Sequence, residues 1–460
     1  MSEKHFAFPE PAYDKILSWE LYSENLATDY RQALEEGRTV QPYEALIQAI
    51  AALPKGRIRE QLAENAALLL ASAPTRADYA YEEPSDCAGI QKCKRGNPVP
   101  ADSAEIQRLE DKLRGAWYGR IAGCLLGKPV EGIRRRELEY VLRQTGNYPL
   151  ARYLREADMT EEIYGACRHN LRGRIFEESA QGAAPPDDDT NYTAMAALKL
   201  VEVYGRGFTS EDVGACWIES QPKRAYCTAE RVAFINLANG FLPPDSAVYK
   251  NPFREWLGAQ IRADYFGYIN PGDPAAAAEM AWRDASVSHV KNGIYGEMLF
   301  AAVIAAAALS DDMPQIIRAG LAEIPSKSRL HESVETLLAM YESGACFDAC
   351  TAWIYADWDE GSAHDWCHTI PNALIVCAAL LFGEKDFGKT ICLAVSCGFD
   401  TDCNGATAGS VIGMARSFAH IPNAWTDCFA GKLQTHITGW SEVEIESLIA
   451  LTRKHIREKK

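Results

Sequence analysis

The chain has 460 residues, 47% of them hydrophobic, and a formal net charge of -16. That composition excludes a disordered chain, and the length can bury a large core without crosslinks. The negative balance disfavours a nucleic-acid backbone or an anionic membrane as the main partner, because both repel such a surface; a small anionic ligand needs only a local patch and stays open.

The opening MSEKHFAFPEP lacks the apolar core of a secretion signal. Tyr13, Ile16, Leu17 and Leu21 then recur at helical spacing, as do Tyr43, Leu46, Ile47 and Ile50, and Ile58, Leu62 and Leu69. This predicts a helical extension over residues 1–72. Residues 73–103 hold Pro74, Pro84, Pro98 and Pro100, are polar and keep no period, which reads as a linker or surface loop. The main domain is expected over 104–460. Its predicted helices run from Ile106 to Leu126, Thr190 to Tyr204, Ala275 to Val287, Tyr295 to Leu309, Pro371 to Leu381, Thr390 to Cys397 and Asn404 to Phe418. The longest apolar run, Met298 to Leu309, is too short to span a bilayer and reads as a buried helix. The 14 cysteines are scattered, which predicts reduced thiols in a cytoplasmic protein. Cys346 and Cys350 have no matching His or Cys pair and read as helix-face thiols. The basic end, Arg453 to Lys460, reads as a solvated helix terminus.

Two glycine stripes interrupt this pattern. Gly115, Gly119, Gly123 and Gly127 share one helix face, and Gly405, Gly409 and Gly413 share another. A glycine inside a helix costs about 1 kcal/mol relative to alanine, so close approach of a second helix is expected to offset each stripe. Pro129 disfavours helical backbone at Lys128 and predicts that the first helix stops there, with Glu131 on the loop beyond.

Two acidic segments stand directly before apolar helices: Asp187-Asp188-Asp189-Thr190 and Asp400-Thr401-Asp402-Cys403-Asn404. One carboxylate per helix would serve as an N-cap. Three in succession repel one another, and a divalent cation relieves that repulsion; hard oxygen donors suit magnesium, manganese or calcium. Taken together, the two loops favour a two-metal site over capping alone, with two ions about 4 Å apart able to hold a sugar diol and activate a water.

The ordered motifs resemble those of the ADP-ribosylglycohydrolase family. The glycine helix leading to Glu131, the pair Asp188-Asp189 followed by Thr190, Ser288-His289 in mid-chain, and Gly398-Phe399-Asp400-Thr401-Asp402 before a small-residue helix match that family in order and spacing from about Leu113 to Trp425. The resemblance implies an all-α fold, an orthogonal multi-helix bundle with the first hundred residues as an N-terminal extension. It implies two divalent cations, Mg2+ or Mn2+, with Asp187, Asp188, Asp189, Asp400 and Asp402 as ligands and position 403 as a further one. Cys403 stands where the family has threonine, and a thiol suits a hard ion poorly. That metal is therefore held more weakly, or water or Asn404 replaces the contact, or a softer ion is preferred. Glu131 resembles the family's general acid or base, with Asp188 as second candidate. His289, Asn292 and Gly293 are candidate substrate contacts. Arg262 falls where the family places a diphosphate loop, although a structural ion pair with Asp264 competes for it. Tyr265, Phe266 and Tyr268 read as core more than as a base-stacking surface. The expected function is a metal-dependent hydrolase that releases ADP-ribose, or a related riboside, from a modified acceptor or small molecule. The alternatives are an N-glycosidase of a nucleoside or sugar metabolite, and a non-catalytic ADP-ribose-binding protein.

Overall fold

The computed structural model describes residues 9–95 and 108–458. The first eight residues, residues 96–103 of the expected linker, the expected helix start at Ile106 and the last two residues of the basic tail lie outside that range.

The fold is all-α: among the described residues the only paired strands are Lys432–Gln434 and Glu442–Glu444, an antiparallel hairpin with Leu433 opposite Val443. At its centre lie helices Leu109–Gly127 and Thr401–Arg416, both buried along nearly their whole length. The two glycine stripes face each other. A Cβ built on Gly115, Gly119 or Gly123 would fall within 3.0 Å of the carbonyl oxygen of Gly413, Gly409 or Gly405 respectively, and the reverse holds for each pair. Gly127 meets the Thr401 carbonyl in the same way. The helices thus run antiparallel, backbone against backbone. Around them pack Lys291–Ala307, Thr369–Phe382 and Phe387–Ser396, whose alanines, leucines and isoleucines are almost all buried. Asp188–Met195 continues through a π-helical stretch, Ala196–Val201, to Glu202–Tyr204. No described helix is long and apolar enough to cross a membrane.

The N-terminal helices differ from their prediction. Tyr13–Lys15 and Ser18–Glu20 are single 3-10 turns, and the first α-helix is Leu26–Glu35. In Arg57–Ser72 the inward face is Arg59, Ala63, Ala66 and Leu70, while Ile58 is 72% exposed and Leu62 also faces out. Three short helices this close together admit small side chains between them, so alanine displaces the larger apolar residues from the seam. This unit has its own apolar cluster, including Tyr22, Leu26, Ile47, Ile50 and Leu70. It docks on the body through buried charge: Arg254 pairs with Asp29 and Glu36 at 2.6 Å each, and His364 Nε2 lies 3.1 Å from Glu35. The described part of residues 73–103 is a strap fixed to the body and carries helix Cys87–Cys93. Glu83 is gripped by Arg329 at 3.0 Å, and Trp282 Nε1 donates to the Ser85 carbonyl.

The seam makes a stability prediction. Gly119→Ala is expected to lower the unfolding free energy by about 1–3 kcal/mol through overpacking. Gly165→Ala, on an exposed helix with nothing within 4 Å of its added methyl, is expected to raise it by about 0.5–1 kcal/mol. Urea midpoints of the two variants decide; equal and small effects would mean that the helices separate to admit a methyl group.

Candidate metal centre and cleft

Leu109–Gly127 tightens at its end into a 3-10 turn, Lys128–Val130. Proline at position 129 does not expel Lys128 from helical backbone, which stays at φ -51, ψ -43; a 3-10 turn accommodates the ring without ending the helical path. Glu131 follows immediately. On the partner strand of the chain, Gly398 (φ +69) and Phe399 (φ +58) reverse direction through the left-handed region, and Tyr355 stacks on Phe399. Asp400 then precedes helix Thr401–Arg416. The Thr401 hydroxyl donates to the Gly127 carbonyl at 2.8 Å, stapling the end of one glycine helix to the start of the other. Glu131, Asp400 and Asp402 are thereby brought together, each offering one carboxylate oxygen within 4.8 Å of the others.

The second acidic segment reaches the same place. Asp187 caps helix Asp188–Met195, accepting from the Asp189 amide at 3.0 Å. Asp189 is fully buried, held by Arg120 Nη2 at 3.1 Å, while Nη1 of the same guanidinium pairs with Asp264 at 2.8 Å. Asp189 groups with Asp402 and Cys403, and also with Asp187 and Cys124, again within 4.8 Å. Asp188 lines a cleft together with Glu131, Asp400, Asp402 and Cys403.

So many carboxylates in one buried place resist ionisation. The Asp402 charge, then burial, then Asp188 push the Glu131 carboxyl up to about 8. Burial, reinforced by Asp402 and Glu131, raises Asp400 well above the carboxylate range. Burial raises Asp189 as well, against the pull of Arg120. Asp189 Oδ2 and Asp402 Oδ1 are buried without a protein donor. Buried acceptors of this kind are costly unless something fills them, and hard oxygens suit Mg2+ or Mn2+. The donor set therefore fits a divalent cation. Cys403 contributes a thiol that burial keeps protonated, the softest donor of the group.

The other expected site residues are placed differently. Both Asp187 oxygens are engaged, one by the Asp189 amide and one by the Lys128 ammonium, so the residue serves as cap and ion-pair partner. Arg262 is buried among Glu230 (2.6 Å), Asp284 (2.5 Å) and Glu297 (3.5 Å). Its expected partner, Asp264, belongs instead to Arg120, so neither the diphosphate role nor that pairing fits its surroundings. His289 is buried with Nδ1 2.8 Å from the Ser288 hydroxyl, and burial keeps its ring neutral. Asn292 donates to Glu83 at 2.8 Å and to Glu255 at 3.2 Å, and Gly293 packs on the Arg254 carbonyl. None of these five is among the residues lining the cleft; Arg262 braces its wall through Glu230. Tyr265, Phe266 and Tyr268 are core.

Sequence reasoning missed Arg120, Lys128, Glu230, Trp19 and Trp366. Arg120 carried a readable signal, a lone arginine inside a glycine-striped apolar helix. The two tryptophans carried none, because they reach the cleft from distant segments.

A family model described as ADP-ribosylglycohydrolase matches residues 105–456. No curated protein matches the chain. A solved structure described as "ADP-ribosylglycohydrolase-related protein complex" is 19% identical, covers 77% of this chain and 100% of its own, and has a TM-score of 0.49.

Two outcomes follow for chelated protein. Saturating Mg2+ or Mn2+ is expected to stabilise it by about 2.7 kcal/mol at about a hundredfold excess over Kd, and Asp402→Asn to abolish that gain; a melting temperature indifferent to millimolar Mn2+ would remove the metal centre. Because the Glu131 pKa is raised from 4.5 to about 8 on folding, its contribution to stability is complete below pH 4.5 and is lost as pH rises through about 8. Metal-free protein is thus expected to lose stability across that window, and Glu131→Gln to flatten the slope; calorimetry at a series of pH values reads both.

Proposed function

The chain belongs to the ADP-ribosylglycohydrolase family, and from that premise we propose that it is a divalent-cation-dependent hydrolase acting at the anomeric carbon of a ribosyl group. The observation that carries the reading is the convergence of Glu131, Asp400 and Asp402 in the lining of one cleft. Cleavage at an anomeric carbon develops oxocarbenium character, and carboxylates on the sugar's flank steady that charge. When bound, the cations would supply a water of lowered pKa and a grip on the ribose hydroxyls. Asp188, Asp189, Asp400 and Asp402 would hold them, with Arg120 fixing the orientation of Asp189.

Glu131 is the proton-moving group of this reading. It is half-exposed to the cleft, Arg174 lies 3.6 Å away, and the surrounding negative charge keeps its carboxyl protonated near neutral pH until that charge is neutralised. Asp188, also half-buried in the cleft, is the second candidate.

Release of ADP-ribose from a modified acceptor is the reading that family membership supports. One observation favours a smaller riboside: the arginine in the position expected for diphosphate binding, Arg262, is already surrounded by three carboxylates.

Glu131→Gln is expected to lower kcat by about 10²–10⁴-fold while the metal-dependent thermal shift persists. Full turnover in that variant would take Glu131 out of the chemistry, and loss of the thermal shift would make it a ligand instead.

A further inference from the structure

The cleft has a second wall that the metal chemistry does not use. Glu230, in the first turn of helix Thr228–Ala238, lines it. The residue is 1% exposed. Its Oε1 accepts from Arg262 Nη1 at 2.6 Å, and its Oε2 is buried with no partner at all. The next wall residue is Gly258, where a Cβ would fall within 3.0 Å of both Glu230 oxygens. Gly258 thus makes room for a carboxylate, and Arg262, the arginine expected to meet a diphosphate, stands behind that carboxylate. An anion placed there would face a negative group with its counter-ion already spent. Arg231 is the one basic side chain among the described lining residues, and its Nε donates to the Tyr226 carbonyl at 2.7 Å.

Two indoles border the same space. Trp366 lines it 6.2 Å from Trp256, and Trp19 lines it 6.5 Å from the same ring and 6.0 Å from Phe253. Trp19 is 40% exposed and lies outside the family-matched residues 105–456. It is brought in by the N-terminal unit. Cys227, three residues before Glu230, lines the same cleft as Asp188, so this wall and the acidic centre share one cavity.

We propose that Trp19, Trp366 and Glu230 form a leaving-group subsite for a flat, hydrogen-bond-donating nitrogen heterocycle joined directly to ribose. The ring stacks against the indoles that border the cleft, and the empty Glu230 oxygen accepts from its amino or amide N–H. A buried acceptor left without a donor is unfavourable by itself, and an aromatic face is tolerant of any π-system. In the reaction, water adds its oxygen to the anomeric carbon, the bond from that carbon to the ring nitrogen breaks with its electron pair going to nitrogen, and one proton passes to the departing ring. This inference rests on the glycosidase reading for the bond that breaks, but not for the binding.

The test uses free adenine, whose binding needs neither metal nor turnover, with titration calorimetry and tryptophan fluorescence on the full chain. Wild type is expected to bind adenine in Mg2+ or in chelator. Trp19→Ala is expected to weaken binding by about tenfold and to remove most of the fluorescence change. Glu230→Gln is expected to weaken adenine by about tenfold while leaving N6,N6-dimethyladenine, which lacks the donor, unchanged. Trp19 is half-exposed, so its variant keeps the fold even if the buried Glu230 variant does not. Binding that is unaffected by Trp19→Ala, or displaced by inorganic pyrophosphate, overturns the subsite. Absent adenine binding alongside metal-dependent riboside hydrolysis overturns the subsite and spares the glycosidase. Adenine binding with the expected variant effects, alongside no hydrolysis of adenosine or ADP-ribose, supports the subsite and overturns the glycosidase.

Discussion

The backbone seam between helices Leu109–Gly127 and Thr401–Arg416 governs the rest of the molecule. Glycine lowers helix stability, and seven glycines across two helices amount to several kcal/mol of lost propensity, about 1 kcal/mol each. What offsets that loss is contact: carbonyls and Cα atoms meet where side chains would otherwise stand, and dispersion accumulates over the whole length. The consequence for function is positional. Because the pair runs antiparallel, the end of one helix lies beside the beginning of the other, and the Thr401 hydroxyl bonds the two ends together. Glu131 and the Asp400–Asp402 segment are neighbours for that reason, although far apart in sequence.

Several buried carboxylates around this seam share an arginine. Arg120 serves Asp189 and Asp264; Arg262 serves Glu230, Asp284 and Glu297; Arg254 and Arg329 serve the junction with the N-terminal unit. Breaking such a pair from one side strands a charge, which is worse than never having built it. Near the acidic site one oxygen each of Asp189, Asp402 and Glu230 has no hydrogen-bond donor in the chain, and two of these residues, Asp402 and Glu230, line the cleft.

Much of this was legible in the sequence. The two glycine stripes announced a close helix pair, and the acidic segments announced where carboxylates gather, because both patterns are local and each is costly without a compensating partner. The core helices were found for the same reason, to within a few residues at their ends. The failures share a cause as well. Ile58 and Leu62 were read as core from their period, yet three crowded helices prefer Ala63 and Ala66 inside. For Arg262, neither the phosphate contact nor the ion pair with Asp264 anticipates the carboxylates of residues 230, 284 and 297, because no pattern in sequence shows them converging on it. His289, Asn292 and Gly293 sit in the expected order along the chain but outside the lining of the cleft. Trp19 and Trp366 could be assigned to one cavity only once the N-terminal unit was docked.

The reciprocity of the seam has one more consequence, and it concerns how the chain can change. In an ordinary core, a residue grown too large on one helix is relieved by a smaller one opposite. Here the residue opposite is already glycine at three levels, and nothing smaller exists. A lesion in one stripe therefore has no suppressor in the other. Relief must come from outside the pair, by rebuilding the helices that press the two together, so the seam can be lost as a unit but not adjusted by steps.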